Sequence, residues 1–124
     1  MISRVGDVEV ELRNIDSTGY DFDASVKLVN LGSENYYLGN ILMSLLIIGT
    51  RGSSKIIYCN GGSIDLEPGS VTEVRATCRL TRSEMSSLFG SSSPKFDLIK
   101  KNVKFMFMKM LLPPLCPGPI ACTP

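Results

Sequence analysis

Four cysteines are the residues of this chain whose types and spacing could do the most specific chemistry: Cys59, Cys78, Cys116 and Cys122. None lies in a Cys-x-x-Cys pair, so the spacing argues against a zinc knuckle and against a thioredoxin-like redox motif. Four cysteines allow three disulfide pairings. We favour Cys59–Cys78 together with Cys116–Cys122, an arrangement typical of proteins outside the reducing cytosol. Buried free thiols remain the main alternative, followed by a metal site or a reactive thiol.

Carboxylates and serines give weaker signals. Asp16, Asp21 and Asp23 lie close together, as ligands in calcium-binding turns do, but the ligand spacing of an EF-hand is absent. We therefore expect solvated loop carboxylates. The serine runs at 53–54 and 91–93 lack a G-x-S-x-G elbow. The chain has no histidine, so the commonest general base and metal ligand is missing. The sequence predicts no catalytic residue, no cofactor and no metal site.

Composition limits the partners that the chain can recruit. With 124 residues, it is long enough for one domain with a single core. Its net charge is only +1, so no long-range field attracts nucleic acid. We expect no nucleic-acid partner and no small-molecule substrate. Lys100-Lys101 is the one basic pair, and we interpret it as a solvated strand entrance.

The elements that must position these residues are mostly strands. In residues 71–80, apolar and polar side chains alternate, which is typical of a half-buried strand with one wet face. The same alternation occurs at 7–13 and 22–28. Residues 36–48 are apolar on both faces, and we predict a buried strand broken near Gly39 and Asn40, with a short helix as the alternative.

The period changes after residue 80. Apolar residues spaced i, i+3, i+4 at Met85, Leu88 and Phe89 predict a short helix near 83–90, with Ser83 as N-cap and Gly90 as the stop. Residues 96–110 are predicted to form the last long strand. Its apolar residues are a candidate contact surface, with a role in the core as the alternative. Val103, Phe105 and Phe107 are predicted to share one face of that strand, and Met106, Met108 and Met110 the other.

Six or seven strands with regular turn signals predict an all-β protein, an immunoglobulin-like antiparallel β-sandwich with one short helix. The predicted domain spans residues 1–115. A tail rich in proline and cysteine follows at 116–124, where prolines exclude a central strand.

The order of elements resembles a known family. The resemblance lies in the segments 26–30 (VKLVN), 38–41 (LGNI), 64–70 (IDLEPGS), 88–89 (LF) and 111–115 (LLPPL). Together they resemble the group-two late-embryogenesis-abundant fold, also called the water-stress and hypersensitive-response (WHy) domain. The resemblance implies an immunoglobulin-like sandwich without a catalytic site. It also implies a role in desiccation or stress protection, often with a membrane tether outside the domain.

Two functional hypotheses follow. The first is a non-enzymatic stress-protective or interaction module that presents its surface to other proteins or to membranes. The second is a structural subunit of an extracellular filament or capsid-like assembly, in which terminal strands complete a neighbour's sheet and the chain associates with itself through edge strands. No apolar run approaches the ~20 residues of a membrane helix, and no signal peptide is visible. The compartment stays open, because an upstream segment would permit an extracellular or membrane-tethered location.

Overall fold

The computed structural model describes residues 1–110, the last of them by its backbone alone. This part of the chain forms eight strands and two helices. In chain order they are β1 (Ile2–Ile15), β2 (Gly19–Asn30), β3 (Tyr36–Leu38), β4 (Ile41–Ile48), β5 (Ser54–Gly61), β6 (Ile64–Leu66), β7 (Val71–Thr81), α1 (Arg82–Phe89), α2 (Phe96–Lys101) and β8 (Val103–Met110).

Six strands form one antiparallel sheet in the order β1-β2-β7-β5-β4-β8. This sheet curls into a half-barrel, while β3 and β6 pair separately as a short ribbon. The prediction of a mostly β, antiparallel protein is therefore confirmed. The finer prediction, an immunoglobulin-like sandwich, is not. The predicted boundary between residues 115 and 116 lies outside the described residues.

Alternating side chains place the core inside the curl. Strands β2 and β7 pair over eleven residues, and Phe22 lies opposite Cys78 and Ala24 opposite Ala76. All four side chains are buried on the concave face, because successive residues of a strand point to opposite faces. β4 contributes the far wall with buried residues at alternate positions: Ile41, Met43, Leu45 and Ile47.

Helix α1 closes one end of the half-barrel. Its N-cap is Thr81, whose hydroxyl accepts from the Glu84 amide while the Glu84 carboxylate accepts from the Thr81 amide. This capping box satisfies otherwise unpaired amides. The predicted cap, Ser83, was two residues too late. The predicted stop is confirmed, because Gly90 adopts a left-handed φ of 73°. Met85, Leu88 and Phe89 are buried as the spacing predicted.

Helix α2 was not predicted, and the expectation of one strand from 96 to 110 is wrong in its first half. Phe96 and Ile99 lie on one helical face, where Ile99 is fully buried and Phe96 packs on Phe22 with ring centroids 5.6 Å apart. Asp97 lies in the first turn, and Lys100-Lys101 lies in the last. Each charge suits its end of the helix dipole. The lysine pair therefore ends a helix rather than opening a strand.

The β3–β6 ribbon closes the opposite end. The predicted break before β4 is confirmed, since Asn40 has a positive φ of 49°. Asn30, the last residue of β2, is fully buried there and joins several segments. Its side-chain amide donates to the carbonyls of Glu34 and Leu66, and its side-chain oxygen accepts from the Gly32 amide.

The sheet has a weak join at its centre. Strands β5 and β7 pair only through Asn60↔Thr77 and Gly61↔Ala76, whereas β4 and β5 pair over seven residues. The curl therefore consists of two well-paired halves, β1-β2-β7 and β5-β4-β8. Helix α1 packs where β5 and β7 diverge, and Glu84 forms an ion pair of 3.2 Å with Lys55 there.

Candidate functional site

The disulfide lies at the central join. Cys59 of β5 and Cys78 of β7 are bonded, with Cα atoms 4.4 Å apart, and both residues are buried. They stand one register step beyond the last hydrogen-bonded pair between these strands, Asn60↔Thr77. This bond links the two halves of the sheet, so the chemistry of this cysteine pair is structural. Cys116 and Cys122, the other predicted pair, lie outside the described residues.

The three aspartates do not form a metal site. Asp16 and Asp21 both accept hydrogen bonds from the Arg79 guanidinium, at 2.9 and 2.7 Å. Asp23 instead lies 3.5 Å from Arg13. Arg79 thus fills the space that a cation would need. Within residues 1–110, no group of three or more histidine, cysteine or acidic side chains could hold a metal ion.

The Asp16 carboxylate organises the turn between β1 and β2. Hydrogen bonds from Arg79, and then from Thr18 and Gly19, hold the pKa of Asp16 well below its usual range. The same bonds to Asp16 and Asp21 raise the pKa of Arg79. This network staples the turn to β7. The sequence predicted solvated loop carboxylates; in the structure these carboxylates are half-buried, and each one is paired with an arginine.

A second arginine holds the same end of the molecule together. Arg82, the first residue of α1, donates to the carbonyls of Asp16 and Ser92 and to the Ser93 hydroxyl. Its guanidinium also lies over the Tyr20 ring, 5.5 Å from the centroid. The loop at residues 91–93 is therefore anchored to α1 through Arg82. In the serine run at 53–54, the Ser53 hydroxyl donates a long hydrogen bond to the carbonyl of Ser87.

The predicted apolar surface on the last strand is divided differently by the structure. A β-bulge interrupts the pairing of β8 with β4, because Ser44 lies opposite Phe107 and the next residue, Leu45, opposite Phe105. Met106 is the extra residue. A bulge of this kind reverses the alternation beyond it.

The reversal separates the residues that the alternation had grouped. Val103, Phe105 and Met108 pack against the core, whereas Phe107 is exposed on the outer face. The prediction that Phe105 and Phe107 share one face is therefore wrong, and so is the grouping of Met106 with Met108. Met110 lies opposite Ile41 in the register.

The outer side of the β5-β4-β8 half carries a continuous apolar patch. Ser44 at the centre of β4 has Tyr58 of β5 on one side and Phe107 of β8 on the other, and Ile56 is opposite Leu46 one step along. The exposed fractions are 55% for Tyr58, 45% for Phe107 and 41% for Ile56. We call Ile56, Tyr58 and Phe107, with the half-buried Leu42 and Leu46 between them, the outer apolar patch.

Ser44 lies beneath this patch. It is fully buried, and its hydroxyl has no hydrogen-bond partner among the described residues. Such a group costs free energy in an apolar environment. The neighbouring aromatic side chains, Tyr58 and Phe107, therefore shield a polar atom as well as β4 itself.

The outer side of the other half is charged. Along β2 and β7 the outward positions include Asp21 opposite Arg79 and Lys27 opposite Glu73. Arg75 lies 3.1 Å from Glu73 on the same strand. The two halves of one sheet thus present different surfaces, a charged one and an apolar one.

A groove separates the two edge strands, β1 and β8. It has a volume of about 510 Å³. Its lining combines cations with an apolar floor: Arg4, Asp7 and Val8 from β1, Lys100 from α2, and Val103, Lys104 and Phe105 from β8. We call this the edge groove.

Comparison of the chain with family models, with curated proteins and with solved structures found no match. In the described part of the chain, neither helix is long and apolar enough to cross a membrane. Function is therefore inferred from the chain's own surfaces.

Sequence reasoning missed two of these surfaces. The outer apolar patch includes Ile56 and Tyr58, which alternate with buried Ile57 and Cys59 in β5. That alternation was a usable signal, because two large apolar residues occupy the wet positions. The edge groove had no such signal, since β1 and β8 lie at opposite ends of the chain and their approach depends on the curl of the whole sheet.

Proposed function

We propose that this chain is a non-enzymatic interaction module that binds a protein partner through the outer apolar patch. The resemblance to the WHy domain supplies the expected setting, stress protection by a domain with an immunoglobulin-like fold. One observation carries the proposal: Ile56, Tyr58 and Phe107 lie side by side and exposed on one sheet face.

The composition of the patch suits binding to a protein. Contiguous exposed apolar groups mark interaction sites more often than isolated ones do, and aromatic residues are enriched at interfaces. Lys104 and Lys109 lie on the same outer face of β8, opposite Leu46 and Leu42. They provide the polar rim that interfaces usually have around an apolar centre.

The test is protection of a labile enzyme during drying. The double substitution Tyr58→Ser and Phe107→Ser removes the two aromatic side chains of the patch. Tyr37→Ser is the matched control, because Tyr37 is equally exposed, at 59%, but lies on the β3–β6 ribbon. We expect the double variant to lose most of the protection and the control to keep it. Equal protection by all three proteins would contradict the proposal, and protection that requires added anionic vesicles would indicate a membrane partner instead.

A second candidate function is assembly by strand addition. The observation that favours it is the position of β8, which pairs with β4 on one side and, within residues 1–110, ends the sheet on the other. A free strand edge is a template for another chain. Lys104 and Lys109 on that strand oppose such pairing, so we place this function second.

Light scattering distinguishes the two functions. A monomer supports the interaction module. An ordered oligomer that dissociates when residues 116–124 are deleted supports assembly.

A further inference from the structure

The edge groove has an unbalanced charge. Arg4, Lys100 and Lys104 line it, and Asp7 is the one carboxylate that the described part of the chain contributes to its lining. Neither lysine forms an ion pair with a described residue. Lys100 also borders a hollow that contains Glu9 and Glu11, so its charge is shared between the two surfaces.

Two contacts fix the position of the Arg4 side chain in the groove. Its guanidinium donates to the Gly6 carbonyl at 2.5 Å and lies 4.9 Å from the centre of the Phe105 ring. The contact with Phe105 spans the groove, since Arg4 belongs to β1 and Phe105 to β8. A guanidinium that is already positioned loses little conformational entropy when it binds a carboxylate.

The two strand edges that face the groove differ in regularity. β1 is interrupted there: Val5 pairs with Lys27 and Glu9 with Ser25, so the residues between them, with Gly6 at a φ of 78°, oppose a single residue of β2. β8 is regular from Val103 to Phe105 and pairs with β4 on its other side. Its outward backbone groups are therefore suited to accept one more strand.

We propose that the edge groove binds an extended acidic peptide that pairs with β8 and alternates acidic with apolar residues. Alternation follows from the strand itself. Lys104 points to the outer face, whereas Val103 and Phe105 point to the core side. A strand added to β8 places its side chains beside these on the same faces. Its acidic residues then meet Lys104, and its apolar residues cover Val103 and Phe105. Lys100 and Arg4 lie near enough to the groove to contact the remaining carboxylates.

Lys104 also belongs to the rim of the outer apolar patch, but Ile56, Tyr58 and Phe107 do not line the edge groove, so each proposal can fail alone. The probe is a fluorescently labelled peptide of alternating glutamate and valine, about five residues long, so that it lies beside Val103, Lys104 and Phe105 and ends before Lys109. A peptide of the same composition in two blocks, and one with lysine in place of glutamate, serve as controls. Binding is measured by fluorescence anisotropy in about 0.15 M salt, where the screening length is about 8 Å.

Protein variants test the position of the peptide. The double substitution Lys100→Glu and Lys104→Glu should weaken binding of the alternating peptide by at least about tenfold, because like charges would then face one another. Lys109→Glu is the matched control. It lies on the same strand, four paired steps or about 14 Å farther along, so screening should limit its effect to less than about twofold. Circular dichroism of each variant verifies the fold.

Two further measurements separate strand pairing from charge attraction. Peptides N-methylated at every second residue come in two isomers, and only the isomer whose free amides face β8 should bind. Tyr58→Ser with Phe107→Ser should leave binding within about twofold, since the patch carries no charge. Equal binding of block and alternating peptides, equal binding of both methylated isomers, or equal loss with Lys109→Glu would overturn the proposal. If the double variant Tyr58→Ser with Phe107→Ser loses drying protection but still binds the peptide, the result supports both proposals.

Discussion

Reducing the Cys59–Cys78 bond should destabilise the protein by an amount that its loop length sets. The bond joins β5 to β7 across a ladder of only two residue pairs. Cleavage leaves the fold's contacts in place but frees the unfolded chain. The experiment uses a background in which Cys116 and Cys122 are replaced by alanine, so that one disulfide alone changes.

The magnitude follows from the chain entropy of the unfolded state. The two cysteines are separated by 19 residues. A crosslink that closes a loop of this length removes about 11 cal/mol/K from the unfolded ensemble, or about 3 kcal/mol at 25 °C. Tertiary contacts of α1 at the join, and the β4–β5 ladder, remain in the reduced protein. We therefore expect the free energy of unfolding to fall by about 3 kcal/mol rather than to vanish.

Urea denaturation of the oxidised and reduced forms measures this difference. With a slope typical of a small domain, the transition midpoint should move down by about 2 M. The substitution Cys59→Ala with Cys78→Ala, examined beside the reduced form, separates the crosslink from the two thiols. A shift below about 0.5 M in the reduced protein would refute the reasoning. It would mean that the two halves of the sheet are held together in the unfolded chain, or that the bond does not form.

Three other predictions concern single side chains. Asp16→Asn should lower the melting temperature at pH 7. Because the pKa of Asp16 is depressed in the folded state, the ionised carboxylate stabilises the fold above pH 3.8, the ordinary pKa of an aspartate. That stabilisation is lost as the pH falls below 3.8. Melting curves from pH 7 to pH 2 should therefore fall less steeply for this variant, and parallel curves would contradict the Arg79 network. Asn30→Ala should cost about 2–3 kcal/mol in urea denaturation, since it leaves buried carbonyls without their donor, and a loss under about 0.5 kcal/mol would show that water replaces the amide. Ser44→Ala should leave stability unchanged or raise it by about 1 kcal/mol, because the hydroxyl has no partner among the described residues, and a clear loss would reveal a bond to the hydroxyl.

Much of the fold was predictable where one face of a strand is charged. In β2 and β7, apolar residues alternate with polar and charged ones, so the sequence shows which face of each strand turns inward. Phe22 and Cys78, which lie opposite each other, are both on that face. Helix α1 was predictable from Met85, Leu88 and the stop at Gly90. Local signals were sufficient in these cases, because each one fixes a face or an end.

The predictions failed where both faces are apolar. Residues 105–108 are Phe-Met-Phe-Met, so the alternation there has no phase by which to place a bulge. Only the pairing with β4 shows that Met106 is the extra residue. Phe96 and Ile99 likewise fit a helix or a strand, and the contact of Phe96 with Phe22 supports the helix. Curling into a half-barrel depends on long-range pairing, which no local pattern reports.

The same contrast bears on function. β4 is apolar on both faces, and a strand of that kind is typical of a sheet covered on both sides. Its inner side is covered by the core, but its outer side is covered only by neighbouring side chains, Tyr58 and Phe107, that are themselves about half exposed. In the described residues, no element packs over them. β4 thus has the sequence of a strand that is buried on both faces, but its outer face is only partly buried. A partner that binds the outer apolar patch would bury the rest of that face.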